Sequence, residues 1–287
     1  MFAALLLLPS GAYSLTVLYS ASLNGQLAGC ACDGRQRAGL AVRAAWLRGL
    51  PELSRALLVD AGDVLAGSGD DALAREILET YAELGYDGVA VGSREIADGV
   101  DALAEYRDRF ALICQNLAVC TGKHCLFLTP DPLLLEKAGE KVGLFALLDP
   151  KAVAALRRQV LGDVKLVPPD SVAGSLVSEL LRRGADWIVV LFHGPMKEAE
   201  ALARKTRGID LIVVAGEQRL LPPRRVGGAL LASPGEGGNR LGVLELRRDS
   251  RGRRHHSHRF QLLRYGLDPE DPRVLERIRR LSLLERR

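Results

Sequence analysis

Short apolar runs alternate with amphipathic stretches along this 287-residue chain, and that alternation constrains its fold more than any other feature. Each apolar run has the length of one buried strand, and the stretches between them carry apolar residues at helical spacing. The predicted strands are 15–19, 56–62, 87–92, 109–114, 141–147, 186–192 and 210–215, and the predicted helices are 37–48, 72–84, 171–183 and 197–205. Strands that alternate with helices predict an α/β protein.

The pattern changes from Gly227 onward. Three strand-like runs follow one another with only turns between them, namely ALLAS, LGVLELRRD and HRFQLLRY, which predicts an antiparallel edge. Its basic segment RGRRHHSHR is expected to be a solvated edge strand. Asp271 and Pro272 match the N-cap and first position of a final helix. Because no linker is visible, we expect one domain over 15–267, followed by a C-terminal helical segment, 268–287, packed on or extending from it.

The first fourteen residues, MFAALLLLPSGAYS, are typical of a secretory signal peptide. An apolar run is followed by a Pro-Ser-Gly break and small residues, although the basic start of such signals is missing. The alternatives are a start codon placed too late or an apolar first strand. We expect an exported protein of the bacterial periplasm or cell envelope. No later run reaches the roughly 18 apolar residues of a transmembrane helix, so none is predicted.

Composition and charge argue against a nucleic-acid-binding protein. Lysine and arginine total 39 against 35 aspartate and glutamate, a formal net charge of only +4. Aromatic residues make up 5% of the chain, which leaves little material for stacking bases. Hydrophobic residues at 48% and charged residues at 26% are ordinary for a globular protein and exclude intrinsic disorder.

Six segments at strand ends carry polar residues in an order that resembles one enzyme family. They are LTVLYSASLNGQL, LLVDAGDVLAGS, ELGYDGVAVGSREIADG, ICQNL, GADWIVVLFHG and GIDLIVVAGEQ. Together they resemble the metallophosphoesterase (calcineurin-like) domain of 5′-nucleotidases and UDP-sugar hydrolases. The resemblance implies two mixed β-sheets packed face to face with helices outside, a four-layer α-β-β-α sandwich. It also implies cleavage of phosphate esters by two divalent metals.

Comparison with the family's metal ligands implies that this sequence has lost most of them. Two metals need a bridging carboxylate and several imidazole or carboxamide ligands. Asp63 and His193 match retained metal ligands of the family. The other family positions are replaced, and they correspond to Ser22, Asn24, Ser93, Arg94, Gly216 and Gln218. Two protein ligands are too few for a two-metal site, so the resemblance implies a vestigial, empty centre and no cofactor.

The surviving residues have several interpretations. We hypothesise that the Arg94 guanidinium replaces a metal charge and pairs with Asp63, since an unpaired buried carboxylate is costly. Alternatively, Asp63 only caps a turn and His193 is an ordinary polar residue at a strand end. Glu217 and Asn24 could also join them to hold at most one divalent ion.

Five cysteines give a second signal. Cys120 and Cys125 flank a turn-like Thr-Gly-Lys-His and are predicted to form a structural disulfide. Cys30 and Cys32 form a Cys-x-Cys pair near Arg35 and Arg37, where nearby cations would favour a thiolate. The motif also resembles a bacterial branch of the family with Cys-x-Cys or Cys-x-selenocysteine here. The alternative is a structural bond from Cys30 or Cys32 to Cys114 or a loop cysteine.

Three functions follow from these patterns. The leading prediction is a binding module that lacks two-metal hydrolysis and takes an unknown small molecule or protein partner at the former cleft. The second is a thiol-disulfide redox protein that uses Cys30 and Cys32 as candidate catalytic residues. The third is an active nucleotidase-type phosphoesterase with an unusual metal ligand set. We also expect the family's second, substrate-clamping domain to be missing, because the region after Gly227 leaves no room for it.

Overall fold

The structure is a computed structural model, and it describes residues 13–32, 35–99, 103, 105–106, 109–156, 164–217 and 219–284. The side chains at 13, 32, 35, 36, 121, 283 and 284 are not included. Residues 1–12 of the predicted signal, Gln218 and the Cys32 side chain therefore lie outside the described residues.

Seventeen strands and six helices are described in this part of the chain. The strands are β1 (Tyr13–Ser20), β2 (Cys30–Cys32), β3 (Arg35–Arg37), β4 (Leu57–Asp60), β5 (Gly88–Ala90), β6 (Leu112–Ile113), β7 (Leu117–Thr121), β8 (His124–Phe127), β9 (Leu133–Lys137), β10 (Glu140–Leu148), β11 (Val164–Leu166), β12 (Trp187–His193), β13 (Leu211–Ala215), β14 (Leu221–Val226), β15 (Ala229–Ser233), β16 (Arg240–Arg248) and β17 (Arg254–Leu262). The helices are α1 (Gly39–Arg48), α2 (Asp71–Leu84), α3 (Ser93–Ala97), α4 (Pro169–Arg182), α5 (Met196–Lys205) and α6 (Pro272–Leu284).

Two six-stranded mixed sheets form the centre of the molecule. The first has the order β17-β16-β1-β4-β5-β6, and the second has the order β14-β15-β13-β12-β10-β9. In the first sheet β1, β4, β5 and β6 are parallel, and β16 and β17 extend it as an antiparallel edge. In the second sheet β10, β12, β13 and β15 are parallel.

The antiparallel edge expected after Gly227 is confirmed for two of its three strands. LGVLELRRD and HRFQLLRY form the paired strands β16 and β17. ALLAS instead forms β15, which is parallel to β13 inside the second sheet. All five of its residues are buried, so this short apolar run behaves as an interior strand.

The buried apolar residues separate into three layers, which confirms the four-layer arrangement. One cluster lies between the sheets and contains residues of β1, β4, β10, β12, β13 and β16. A second lies between the first sheet and α1, α2 and α6, and a third lies between the second sheet and α4 and α5. Burial of apolar area on both faces of each sheet is the main stabilising contribution of such a fold.

All seven strands predicted before Gly227 are present, and so are the four predicted helices. The helix predicted from position 37 begins instead at Gly39, because Arg37 pairs with Cys30 in the hairpin of β2 and β3. Gly39 has a φ of +69°, and a Cβ there would lie 2.6 Å from the Ala28 carbonyl oxygen. Only glycine fits this tight entry to the helix.

The final helix packs on the domain. Asp271 accepts hydrogen bonds from the N–H groups of Arg273 and Val274, as the predicted N-cap should. Arg277 forms ion pairs with three glutamates of α2, which are Glu76, Glu79 and Glu83. Within the described ranges, no helix combines the length and apolar character needed to cross a membrane.

Candidate functional site

The polar residues singled out in the sequence meet where parallel strands of both sheets end. β1, β4 and β5 are followed by the segments that hold Ser22, Asp63 and Ser93, and β12 ends on His193. The Ser22 N–H donates to the Gly62 carbonyl at 2.9 Å, and the Asn24 N–H donates to the Asp63 carbonyl at 2.9 Å. The carboxyl ends of parallel strands are the usual place for ligands in α/β folds.

His193 and Gly216 come from the second sheet. The N–H of Gly194 donates to the carbonyl of Ala215 at 3.0 Å, and a Cβ on Gly216 would lie 3.6 Å from the Gly194 nitrogen. The structure therefore places most of the predicted positions around one cleft. Glu217 also follows β13, and its Oε1 accepts from the Arg219 N–H at 3.2 Å.

The backbone at this cleft is in an unusual conformation. Five non-glycine residues in the described segments have positive φ, and three of them lie here, with φ of 53° at Ser22, 55° at Asn24 and 56° at Asp63. A left-handed backbone conformation costs a non-glycine residue free energy, so it persists only where the surrounding structure stabilises it. Backbone outliers that gather in one place are typical of sites built for a ligand.

The Asp63 carboxylate is engaged by donors of its own chain. Its Oδ1 accepts from the backbone N–H of Arg94 at 2.9 Å and from the hydroxyl of Ser93 at 3.1 Å. The Ser93 hydroxyl also lies 3.3 Å from Oδ2. These are charge-assisted hydrogen bonds, which stabilise the ionised carboxylate without a cation.

The expected Asp63–Arg94 ion pair is wrong. Arg94 does contact Asp63, but through its backbone N–H, while its guanidinium Nη1 donates to the carbonyl of Ala66 at 2.6 Å. Arg94 is the second residue of α3, so its N–H is one of the unpaired donors at a helix start. The Arg94 N–H and the Ser93 hydroxyl bind the carboxylate, and the Arg94 guanidinium binds the backbone of the same loop, three residues after Asp63.

His193 is buried beside Asp63. Its Nδ1 lies 3.2 Å from the carbonyl oxygen of Ala61, which can only accept, so Nδ1 carries the proton. Its Nε2 then faces Oδ1 of Asp63 at 3.5 Å, too far for a hydrogen bond. Gly92 keeps the two together, since a Cβ there would lie 2.4 Å from Asp63 Oδ1 and 2.7 Å from His193 Cε1.

Glu95 holds the loop of Asp63, a role that the sequence analysis missed. Its Oε1 accepts from the N–H groups of Val64 and Leu65, and its Oε2 accepts from those of Asp63 and Gly92, all between 2.7 and 3.0 Å. Burial, with the neighbouring Asp63 charge, raises the pKa of Glu95 to about 7. The available signal was Gly-x-x-Glu at a helix start, where a glutamate can reach back to backbone N–H groups.

A second buried carboxylate, Asp60, lies three residues before Asp63. Its Oδ2 accepts from the Ser20 hydroxyl at 2.6 Å and the Tyr81 hydroxyl at 3.0 Å, and lies 3.3 Å from Nη1 of Arg43. Both charged residues are fully buried. Burial raises the pKa of Asp60, whereas the Arg43 charge and the hydrogen bonds oppose that shift.

The residues at the cleft do not fit a two-metal centre. Serine and asparagine side chains stand at positions 22, 24 and 93, and the retained carboxylate is already occupied by hydrogen-bond donors. Across the described segments, no group of three or more His, Cys, Asp or Glu side chains could hold a metal ion. Glu217 is therefore not brought together with Asp63 and His193.

The described cysteines comprise the Cys120–Cys125 disulfide, the disulfide-bonded Cys30 of the β2–β3 hairpin, and the free Cys114. The predicted disulfide between Cys120 and Cys125 is confirmed. Cys30 is also disulfide-bonded, and Arg37 lies directly opposite it in the β2–β3 register. Cys114 is free and buried, and burial raises the pKa of its thiol to about 12, so the alternative bond from Cys30 or Cys32 to Cys114 is wrong.

Comparisons with known proteins agree with this architecture. No family model matches the chain. The trifunctional nucleotide phosphoesterase YfkN of Bacillus subtilis is 24% identical over 237 residues, covering 67% of this chain and 16% of that protein. The solved calcineurin-like phosphoesterase YfkN from Bacillus subtilis has a TM-score of 0.76 at 20% identity, with 95% of this chain and 98% of that chain covered. The fold is that of the calcineurin-like phosphoesterases.

The calcineurin-like fold accounts for where the polar residues lie. The 5′-nucleotidase precursor from Thermus thermophilus has a TM-score of 0.76 at 22% identity, and the match covers 94% of this chain but 59% of that one. The chain thus spans about three-fifths of this nucleotidase and 16% of the curated YfkN protein. At these identities the likeness concerns the 5′-nucleotidase-like domain and its fold, and the chemistry has to be argued from the side chains.

Proposed function

We propose that this protein is a binding module that does not hydrolyse phosphate esters by a two-metal mechanism. The occupied Asp63 carboxylate is the observation that carries the proposal. A bridging ligand must offer its oxygens to two cations, whereas here Oδ1 already accepts from Arg94 and Ser93. The second support is the lack of a carboxylate or imidazole at positions 22, 24, 93 and 94.

The cleft favours a ligand rich in oxygen acceptors. The guanidinium of Arg94 lies at its edge, and Asn24 is half-buried beside Asp63 with an amide that has no partner among the described residues. Amide and guanidinium groups donate hydrogen bonds to phosphate, carboxylate or sugar oxygens. Because the Arg94 guanidinium is positively charged, an anionic group should bind this part of the cleft better than a neutral one.

Hydrolysis and binding are separated by one set of assays. Turnover of p-nitrophenyl phosphate, AMP and UDP-glucose is measured with and without Mn²⁺, and calorimetric binding is measured for AMP, UDP-glucose and inorganic phosphate. We expect no turnover above the protein-free rate. We also expect metal-independent binding of at least one of AMP, UDP-glucose or inorganic phosphate, weakened about tenfold by Arg94→Ala through loss of a charge-assisted contact.

Matched variants decide between the alternatives. Asp63→Ala is compared with Asp170→Ala, which changes an exposed aspartate of α4. Turnover that depends on Mn²⁺ and is abolished only by Asp63→Ala would establish an active phosphoesterase with an unusual ligand set. Absence of binding for all three probes would remove the cleft as a phosphate-binding site.

A second candidate function is thiol-disulfide exchange at Cys30. The favouring observation is Arg37 on the opposite strand, because a cation beside a sulfur stabilises the thiolate released when its disulfide opens. An external thiolate would attack one sulfur, release the other as thiolate, and leave a mixed disulfide. The hairpin follows the segment of Asn24, so this chemistry would take place beside the cleft.

Thiol labelling tests the redox function. After treatment with graded glutathione buffers, mass spectrometry locates the labelled cysteines. We expect Cys30 to exchange more slowly in Arg37→Gln than in the unchanged protein, while Arg207→Gln, at a distant loop, has no effect. Equal exchange in all three proteins would contradict a redox role for this hairpin.

The proposal includes export to the periplasm or cell envelope. It is supported by the apolar start of the sequence and by the disulfides, which persist in oxidising compartments. N-terminal sequencing of protein recovered from the periplasmic fraction of an expressing bacterium tests it. Recovery only from the cytoplasm with Met1 retained would contradict it.

A further inference from the structure

A small three-stranded sheet projects beside the two large sheets, with the order β11-β7-β8. Within the described residues β8 pairs only with β7, so its other edge has unpaired backbone groups. Proteins generally protect such edges, because a strand edge is a ready template for another extended chain. This edge is only four residues long and carries no proline.

Two large apolar side chains on β8 are exposed. Leu126 has 78% of its surface exposed and Phe127 has 41%. Side chains alternate along a strand, so Phe127 shares one face with Cys125, and Leu126 shares the other with His124. Both faces of the free edge therefore present an apolar side chain to a chain that pairs with β8.

The disulfide lies within this edge strand. Cys120 and Cys125 are directly opposite in the β7–β8 register, and Cys125 is half-buried whereas Cys120 is 8% exposed. Lys123 and His124, in and beside the connecting turn, are exposed. A positive charge close to a disulfide favours the approach of a thiolate and stabilises the thiolate that leaves.

Two side-chain amides just before β7, the strand that pairs with the edge, anchor the small sheet. Asn116 donates to the carbonyls of Leu148 and Val167 and accepts from the Leu148 N–H, and Gln115 accepts from the Ala146 N–H. These bonds connect the small sheet to the end of β10. A fixed edge loses little conformational entropy when a partner pairs with it.

We propose that β8 is a docking edge for a dithiol oxidoreductase that reduces the Cys120–Cys125 disulfide, a role independent of the proposed function. The partner's thiolate attacks the accessible Cys125 sulfur, the S–S bond breaks, and Cys120 leaves as a thiolate that takes up a proton. The partner's second thiol then attacks the mixed disulfide and releases Cys125. The protein gains two thiols, and the partner's dithiol becomes a disulfide.

Reduced thioredoxin is the probe for this docking edge. The full-length protein is mixed with thioredoxin or, separately, with dithiothreitol at equal dithiol concentration, and free thiols are labelled and mapped over time. We expect thioredoxin to reduce Cys120–Cys125 faster than dithiothreitol does. The double substitution Leu126→Ser with Phe127→Ser should slow thioredoxin about tenfold by removing apolar contact area, and should leave the dithiothreitol rate within about twofold.

Two further measurements keep the result interpretable. Leu267→Ser changes another side chain that is 67% exposed but lies far from β8 in sequence, and it should leave both rates unchanged. Thioredoxin lacking its second cysteine should be trapped on Cys125. Equal thioredoxin rates in the double variant and the unchanged protein, or trapping on Cys30 or Cys120 instead, would overturn the proposal.

Discussion

Two aspartates at the end of β4, Asp60 in the strand and Asp63 in the loop that follows, have opposite environments. Asp60 is fully buried and is bound by Ser20, Tyr81 and Arg43, so its charge is balanced inside the protein. Asp63, three residues later, lies at the cleft, where it accepts from the Arg94 N–H and the Ser93 hydroxyl and His193 faces it at 3.5 Å. The first is part of the structural framework, and the second belongs to the cleft that we propose as a binding site.

The difference shows how a site can change while its framework stays. The framework carboxylate has partners on α1, α2 and β1, so a change at Asp60 disturbs contacts of three elements. The hydrogen bonds of the cleft carboxylate come from one element, the start of α3, through the Ser93 hydroxyl and the Arg94 N–H. We therefore expect that side chains at the cleft can be exchanged with little loss of stability.

Asp60→Asn should give the largest effect, because it leaves the Arg43 charge buried without its counter-ion. We expect a loss of about 3–5 kcal/mol in the free energy of unfolding, measured by urea denaturation. The double variant Asp60→Asn with Arg43→Met should recover part of that loss. If Asp60→Asn destabilises no more than Asp63→Asn does, the contrast between the two aspartates is wrong.

Glu95→Gln should give the second-largest loss in the free energy of unfolding, because Glu95 supports the cleft loop. A glutamine amide would place N–H groups against two of the four backbone donors that Glu95 now binds. We expect a loss of about 3 kcal/mol from the broken charge-assisted bonds and unsatisfied donors. Glu236→Gln, at an exposed position, serves as the control and should change stability by less than about 0.5 kcal/mol.

A third test measures how stability depends on pH through a neutral polar pair, Tyr19 of β1 and His258 of β17. The Tyr19 hydroxyl is hydrogen-bonded to Nε2 of His258 at 2.8 Å, and burial, with His256 nearby, lowers the pKa of His258 to about 4. The unfolded chain takes up this proton near pH 6.5, so stability should be full above that pH and fall as pH drops towards 4.

Because His258 is partly exposed, solvent screening should limit that pH effect to about 1 kcal/mol. His258→Gln should remove this part of the pH dependence, as followed by urea denaturation between about pH 4 and 7.5. If the dependence of stability on pH is the same in His258→Gln as in the unchanged protein, other titratable groups cause it.

Asp63→Asn should have the smallest effect on stability. Its amide oxygen can still accept from Arg94 and Ser93, so we expect a change below about 1 kcal/mol by urea denaturation. A loss comparable to that of Asp60→Asn would mean that the cleft carboxylate belongs to the framework. A gain in stability would instead indicate that the donors from Ser93 and Arg94 do not compensate the Asp63 carboxylate.

Much of the fold could be predicted from the sequence, because buried strands and amphipathic helices leave periodic apolar patterns. The strands β2, β3, β8 and β14 are among those that were missed, since they are short or polar and have no long apolar run. The Cys120–Cys125 bond was predictable because a tight turn places both sulfurs opposite each other.

The sequence indicated part of the cleft and not its contacts. Asp63 and His193 lie 3.5 Å apart, as their positions after strands suggest, but Glu217 is not brought to them. The predicted partner of Asp63 was wrong because a helix start supplied backbone donors. The Asp60–Arg43 pair gave a weak signal, a charge within an apolar strand and another on an apolar helix face. Sequence periodicity does not tell which buried charges meet in space, so that pair required the structure.

The left-handed residues at Ser22, Asn24 and Asp63 have one more consequence. The backbone dihedral angles of these residues set the directions of their Cα–Cβ bonds. A substituted side chain at any of these positions would therefore start in the same direction as the present one. New chemistry could thus be installed at positions 22 and 24 by point substitution, with the trace of the polypeptide unaltered. The cleft is in this respect a ready-made scaffold for engineering.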